Sequence, residues 1–249
     1  MNFFKIRAVK KNLMQNIKHF LFFNPWTIVF GVGIVLFATA GGRFSFGVFL
    51  GPITEDFTWS RASVSGALAL AGLITGIFRP IAGILSDRFH PKNIAILGLL
   101  LGGIAFIGLS LIQSLWQFYT LFTLMGLGFT FASPATLTKL VSERFTKKRS
   151  LALSLAGTGS AIGETALVPL SALIVVLEGW RTAYEILGLI IIFIVIPISG
   201  LLLMNKKNET SNNTKNIEAN EKGNPSIGIS FKKALKTPIF WTLTIGFFT

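Results

Sequence analysis

Long apolar runs separated by short polar segments dominate the chain. Six of these runs hold about twenty or more predominantly apolar residues, the number a helix needs to cross about 30 Å of hydrocarbon. They cover residues 26–50, 62–84, 93–112, 116–137, 151–177 and 182–204. A further apolar run begins near Ile239 and reaches only Thr249. The pattern predicts an all-α membrane protein with six transmembrane helices and an incomplete seventh.

Basic residues are concentrated in alternate connecting segments. Residues 1–25, 83–93, 138–150 and 205–237 are rich in Lys and Arg, whereas the other connections hold Arg61, no basic residue, and Arg181. Lys and Arg collect in cytoplasmic loops, so the N-terminus and 205–237 are predicted to be cytoplasmic. This bias also accounts for the net charge of +13, so the charge does not indicate a nucleic-acid partner. We expect no nucleic-acid binding.

Four regions follow from these patterns. Residues 1–25 form a basic cytoplasmic arm without the compact apolar core of a cleaved signal peptide. Residues 26–204 form the six-helix bundle. Residues 205–237 are rich in Asn, Lys, Glu and Ser, which is typical of a linker that cannot fold alone. Residues 238–249 begin the incomplete seventh helix. Six spans, a linker and another span indicate a transporter with two halves.

Glycine and proline recur in the second and fifth runs. Interrupted helices at corresponding places in two repeats point to a transporter site, so a repeat of three plus three helices is expected. The residues concerned are Gly72, Gly76 and Pro80 in the second run and Gly157, Gly159, Gly163 and Pro169 in the fifth. Packing of small residues against neighbouring helices in lipid explains most of the same glycines without an interruption.

The segment "GILSDRFHPKN" between the second and third runs resembles the loop signature of the major facilitator superfamily. Its signature residues include Gly83, Asp87, Arg88 and Lys92, whereas His90 stands where that family usually has glycine. The resemblance implies a gating loop that latches the two halves on the cytoplasmic side. It also implies that the chain is the N-terminal half of a twelve-helix fold, with a C-terminal half missing.

A second segment, "RFTKKRSLALSLAGTGSAIG", resembles the entry to the fifth span of monocarboxylate transporters. Lys148, Arg149, Gly159 and Gly163 are among its matching positions. The resemblance implies a secondary active transporter of the cell membrane, carrying a small organic anion by alternating access, by proton coupling or exchange. Two alternatives remain open: a membrane sensor or scaffold that does not transport, and a drug or metabolite efflux carrier.

Arg43 interrupts the first apolar run. At 1.5 Å per residue it lies about 25 Å into a span that enters from the cytoplasm, in the outer half of the membrane. A charge facing lipid costs about 2.5 kcal/mol or more at the membrane centre, so such residues usually face a cavity or a partner. The favoured interpretation is a cavity residue that binds the substrate. The alternative is an arginine that reaches the outer headgroups.

Glu164 is predicted at a depth similar to that of Arg43. It is a second candidate for the substrate site, where it could carry a proton or pair with Arg43. Equally, it could belong to a packed polar cluster with Thr158, Ser160 and Thr165. For Arg79, low in the second run, an inner-interface position is favoured over contact with the gating loop.

Other chemistry is sparse in the sequence. The chain has no cysteine and two histidines, and both histidines lie outside the apolar runs. That excludes thiolate metal sites and a metal or haem held between spans by histidine. With no set of nucleophile and base, we expect no enzyme activity and no cofactor.

Overall fold

The computed structural model describes residues 24–145, 147–203 and Thr237. The predicted arm up to residue 23, most of the linker and the seventh run lie outside these residues. Every regular element in the described part is a helix, and a π-helical turn, Ile191–Val195, separates the last two. The helices are α1 Trp26–Phe44, α2 Phe46–Phe57, α3 Arg61–Arg88, α4 Pro91–Ser110, α5 Leu115–Phe131, α6 Pro134–Arg144, α7 Arg149–Ile190 and α8 Ile196–Leu202.

Five helical segments in the described part are long and apolar enough to cross a membrane. They are Trp26–Phe57, Arg61–Arg88, Pro91–Ser110, Leu115–Arg144 and Arg149–Leu202. The described part of the chain is therefore all-helical, with several helices suited to span a membrane. The first and fourth segments extend beyond the predicted runs, because α2 and α6 continue after Leu50 and Leu137.

Close backbone contact joins α1 to the first part of α7. Gly159 lies against the backbone of Gly33, and Gly163 lies against the backbone of Phe37. A β-carbon at either α7 position would overlap main-chain atoms that cannot move aside. Without a hydrophobic driving force between helices in lipid, such contacts between small residues supply much of the packing energy. The glycines of the predicted signature thus hold the two helices together.

The chain reverses direction at Gly179, which lies between two of the predicted runs. Gly179 has φ 85° and ψ 166°, a backbone conformation that residues with a β-carbon rarely adopt. Immediately after it, the ring of Trp180 lies 5.9 Å from that of Phe57, and Tyr184 stacks on Phe49 at 3.9 Å. Phe49 precedes Phe57 in the first segment, whereas Tyr184 follows Trp180, so the chain after Gly179 runs antiparallel to that segment. The segment Arg149–Leu202 therefore passes alongside the bundle twice.

Prolines do not break the helices that contain them. Helix α3 continues through Pro80 from Arg61 to Arg88, and α7 continues through Pro169 as far as Gly179. The expectation of interrupted helices in the second and fifth runs is therefore wrong. Proline removes one helical hydrogen bond, but its φ is helical and transmembrane helices tolerate it.

Arg181 ties three helix ends together next to this turn. Its guanidinium donates hydrogen bonds of 3.0 Å to the carbonyls of Ser110 and Ile112, at the end of α4. It also lies 3.5 Å from the carboxylate of Asp56 and 4.4 Å from the ring centre of Trp180. A cation is favourable at the C-terminus of a helix, where carbonyls lack helical partners. Arg181 therefore links the ends of α4 and α2 to the part of α7 that follows Gly179.

A charged cavity as the candidate functional site

Helices α1, α3, α5 and α7 line a cavity of about 610 Å³, to which Phe46 and Gly47 of α2 and Pro134 of α6 also contribute. Each helix contributes residues spaced three or four apart, as expected for one face of a helix. Most of the wall is apolar. The residues that carry charge or a hydroxyl group are Thr39 and Arg43 of α1, Thr75 and Arg79 of α3, Thr130 of α5, Ser133 before α6, and Ser160 and Glu164 of α7.

Arg43 lines this cavity and is exposed within it. It lies near the middle of the helical segment Trp26–Phe57, and its depth in the membrane stays a prediction. Thr39 and Ala40, one turn earlier on the same face, also line the cavity. The structure therefore places the guanidinium where a solute could reach it.

Glu164 lines the same cavity from α7 and is half-buried. Its neighbour Gly163 contacts α1 at Phe37 and Gly41, so the two candidate residues lie on adjoining helices at similar height. No ion pair within 4.0 Å joins Glu164 to Arg43 in the described residues. Thr158 and Thr165 bond to carbonyls of their own helix, with no hydrogen bond to Glu164. The carboxylate and the guanidinium thus face one cavity without neutralising each other.

Arg79 is a third charged residue of the cavity wall, and the sequence interpretation placed it elsewhere. It is exposed on α3, two turns after the Gly72 position that also lines the cavity. An inner-interface position was favoured because the residue is near the Arg88 end of the helix. The spacing of Leu68, Gly72, Thr75 and Arg79 places all four on one face of α3. This spacing could have indicated from the sequence that Arg79 shares a helix face with the other three residues.

Two hydroxyl groups of the wall donate hydrogen bonds to carbonyls of their own helices. Thr39 donates to the carbonyl of Val35 at 3.0 Å, and Thr130 donates to that of Gly126 at 2.8 Å. Each hydroxyl oxygen keeps lone pairs that can accept from a ligand or from water. The ionic groups form stronger hydrogen bonds and are therefore the groups of this wall best suited to hold a charged solute.

Asp87 of the predicted gating loop is paired across the bundle. Its carboxylate accepts a hydrogen bond from Lys139 of α6 at 3.0 Å, and the same ammonium donates to the carbonyl of Ser86 at 3.2 Å. Lys139 belongs to helix α6, although the apolar pattern had placed it in a loop. The end of α3 is thereby tied to α6, through a partner that sequence spacing does not reveal.

The remaining loop residues lie at the ends of α3 and α4. Arg88 is the last residue of α3, and Pro91 and Lys92 begin α4. His90 has φ −65° and ψ 123°, so this turn does not need the glycine usually found there. A β-carbon at Gly83 would meet no described atom within 4 Å. The signature is thus present at two helix ends, with Asp87 as its ion-paired residue.

Lys148 and Arg149 open the fifth-span signature at the N-terminus of α7. Lys148 precedes the first helical residue, Arg149 is that residue, and both are exposed. Gly159 and Gly163 of the same signature contact α1. The signature therefore combines a charged helix end with a packing face, and neither part touches the cavity.

Metal-binding side chains do not converge anywhere in the described residues: no group of three or more His, Cys, Asp or Glu is close enough to hold an ion. The cavity offers two guanidiniums and one carboxylate. This set suits an anionic solute rather than a metal.

Known proteins match the chain along most of its length. It is 28% identical to human monocarboxylate transporter 7 over 172 residues, which are 69% of this chain and 33% of that protein. It is 25% identical to the oxalate:formate antiporter of Oxalobacter formigenes over 228 residues, 91% of this chain and 52% of that protein. An uncharacterized MFS-type transporter of Bacillus subtilis is 26% identical over 70% of this chain and 41% of its own length.

The chain spans about a third to a half of the length of these curated relatives. The relatives are transporters, and the described helices are apolar enough for a multi-pass membrane protein. The family model of the Major Facilitator Superfamily matches residues 32–249. This match includes all the helices after the first turns of α1, and the chain therefore belongs to the Major Facilitator Superfamily.

Proposed function

We propose that the protein is a secondary active transporter of small organic anions related to monocarboxylates. One observation carries the proposal: Arg43 and Glu164 line a single cavity between membrane helices without pairing with each other. A guanidinium binds a carboxylate through two parallel hydrogen bonds, which fixes the orientation of the anion as well as its charge. The names of two relatives refer to small organic anions: monocarboxylates in one name, and oxalate with formate in the other.

Glu164 is the candidate for coupling in this proposal. In general, a bound anion favours the protonated form of a nearby carboxyl group, and an ionised carboxylate repels a second anion. Either behaviour links transport of the anion to a proton or to exchange with another anion. Arg43 would bind the substrate, Glu164 would adjust the charge of the cavity, and no cofactor is needed.

The proposed architecture is the N-terminal half of a twelve-helix carrier. Six crossings follow if the segment Arg149–Leu202 crosses twice, as its reversal at Gly179 suggests, and residues 238–249 would begin a seventh. The Lys and Arg bias favours a cell-membrane protein with its N-terminus and 205–237 in the cytoplasm. A second half would supply the remaining wall of the cavity and part of the substrate selectivity.

Uptake into vesicles tests the function directly. The purified full-length carrier, reconstituted in liposomes that contain unlabelled acetate, should accumulate labelled acetate, formate or lactate above protein-free liposomes. A neutral solute of similar size, such as acetamide, serves as the control because it lacks the carboxylate that the arginine recognises. If no organic anion accumulates under an anion gradient or a proton gradient, the proposal is wrong, and the alternatives are a sensor or scaffold and an efflux carrier for other solutes.

The pair of Asp87 and Lys139 gives a separate prediction about gating. Asp87→Asn should slow transport while leaving membrane abundance unchanged, because the side chain is 75% exposed and an exposed ion pair adds only about 1 kcal/mol or less to stability. Lys139→Gln should cause the same defect. The double exchange Asp87→Lys with Lys139→Asp should recover part of the rate, as measured by initial uptake. Unchanged kinetics in both single variants would show that the pair is not a gate.

A further inference from the structure

The cavity contains two cationic side chains on different helices. Arg43 projects from α1 and Arg79 from α3, and both line the same 610 Å³ space. Neither has an ion-pair partner within 4.0 Å in the described residues. Glu164, on α7, is the other charged group of the wall, and α5 contributes none. Two guanidiniums thus face one carboxyl group across a largely apolar cavity.

This imbalance has an energetic consequence. Two like charges that share a cavity of low polarity raise each other's free energy, and a nearby anion lowers it. One carboxyl group can offset at most one of the two positive charges in this wall. A solute with a single carboxylate can engage only one guanidinium bidentately, whereas a solute with two carboxylates can engage both.

We propose that Arg79 is a second anion-binding residue and that the cavity accepts small dicarboxylates, with one carboxylate on Arg43 and the other on Arg79. The proposal rests on the proposed function and adds a substrate class and a residue to it. The cavity is large enough for a small dicarboxylate, because its volume lies within the range of about 300–1,000 Å³ found for pockets that hold whole small molecules. Because the two arginines belong to different helices, a bound dicarboxylate also links α1 to α3.

The test compares two classes of anion in the full-length carrier. Uptake of labelled acetate is measured in vesicles, with oxalate, malonate and succinate as competitors and then as labelled substrates. The wild-type protein should bind at least one dicarboxylate more tightly than acetate, with a preferred chain length set by the distance between the guanidiniums. Arg79→Gln should weaken binding of that dicarboxylate about tenfold or more relative to binding of acetate, because only the dicarboxylate engages both guanidiniums.

Two further variants make the result specific. Arg61 is an exposed arginine at the first position of the same helix, outside the cavity wall. Arg61→Gln should therefore change the uptake of neither class of anion. Arg79→Lys keeps the charge without the bidentate geometry and should retain part of the dicarboxylate preference. Uptake is normalised to carrier protein in the vesicles. If Arg79→Gln does not insert into the membrane, the role of Arg79 is tested with Arg79→Lys and with the wild-type competition series.

The outcomes separate this inference from the function on which it rests. Acetate uptake without dicarboxylate binding, or an equal loss of both classes in Arg79→Gln, would overturn the role of Arg79 and leave the anion carrier intact. If the carrier takes up neither class of anion, both proposals are wrong. A dicarboxylate preference that disappears selectively in Arg79→Gln supports the assignment.

Discussion

Replacing Arg43 with glutamine should nearly abolish uptake of a small monocarboxylate by the full-length carrier. Truncating one partner of a desolvated charge pair costs about 2–5 kcal/mol, which corresponds to a loss of about thirtyfold or more. Arg43→Lys should keep a fraction of the activity with a raised KM, because an ammonium cannot reproduce the two parallel hydrogen bonds of a guanidinium. Initial rates of labelled acetate uptake, divided by the amount of carrier in the membrane, measure both effects.

The competing interpretation, an arginine that only anchors the helix at the membrane surface, makes a different prediction. Lysine should then serve as well as arginine, and glutamine should lower the amount of protein in the membrane more than the uptake per molecule. Arg61→Gln, an exposed arginine outside the cavity, is the matched control for general effects of charge loss. Normal uptake per molecule in Arg43→Gln would rule out the binding role.

The apolar runs predicted the helices because membrane helices need long uncharged segments, and few soluble structures share that requirement. The ends of helices were harder to predict. Helices α2 and α6 continue past the apolar runs because polar residues such as Glu55, Asp56 and Lys139 can extend a helix beyond the hydrocarbon region. The interruption expected near Pro80 was wrong because proline is compatible with helical φ.

The candidate site was predicted in part. Arg43 and Glu164 stood out because ionisable residues are rare in membrane spans, and both line the cavity. Arg79 was placed at the interface because distance along the helix was weighed above its position on the helix face. The pairing of Asp87 with Lys139 joins residues far apart in sequence, so it depends on how α3 and α6 pack, which the pattern of one chain does not encode.

Binding of the anion inside this cavity can be measured by chemical protection. The 249 residues contain no cysteine, so a single introduced thiol reports one position once any cysteine in the rest of the carrier has been replaced. Ala40 is half-buried, lines the cavity and lies one turn before Arg43, whereas Gln113 is exposed between α4 and α5, away from the cavity. In the proposed orientation Gln113 faces outward, so Gln113→Cys should also react with an impermeant maleimide in intact cells.

The rate at which N-ethylmaleimide alkylates Ala40→Cys in the full-length carrier, with and without acetate, tests the central claim most directly. A bound anion on Arg43 covers the adjacent turn, so acetate should slow the reaction at Ala40→Cys at concentrations near the transport KM. Acetate should leave the reaction at Gln113→Cys unchanged, and adding Arg43→Gln to Ala40→Cys should remove the protection. If acetate is transported but the rate at Ala40→Cys stays the same, the anion binds elsewhere and this cavity is not the substrate site.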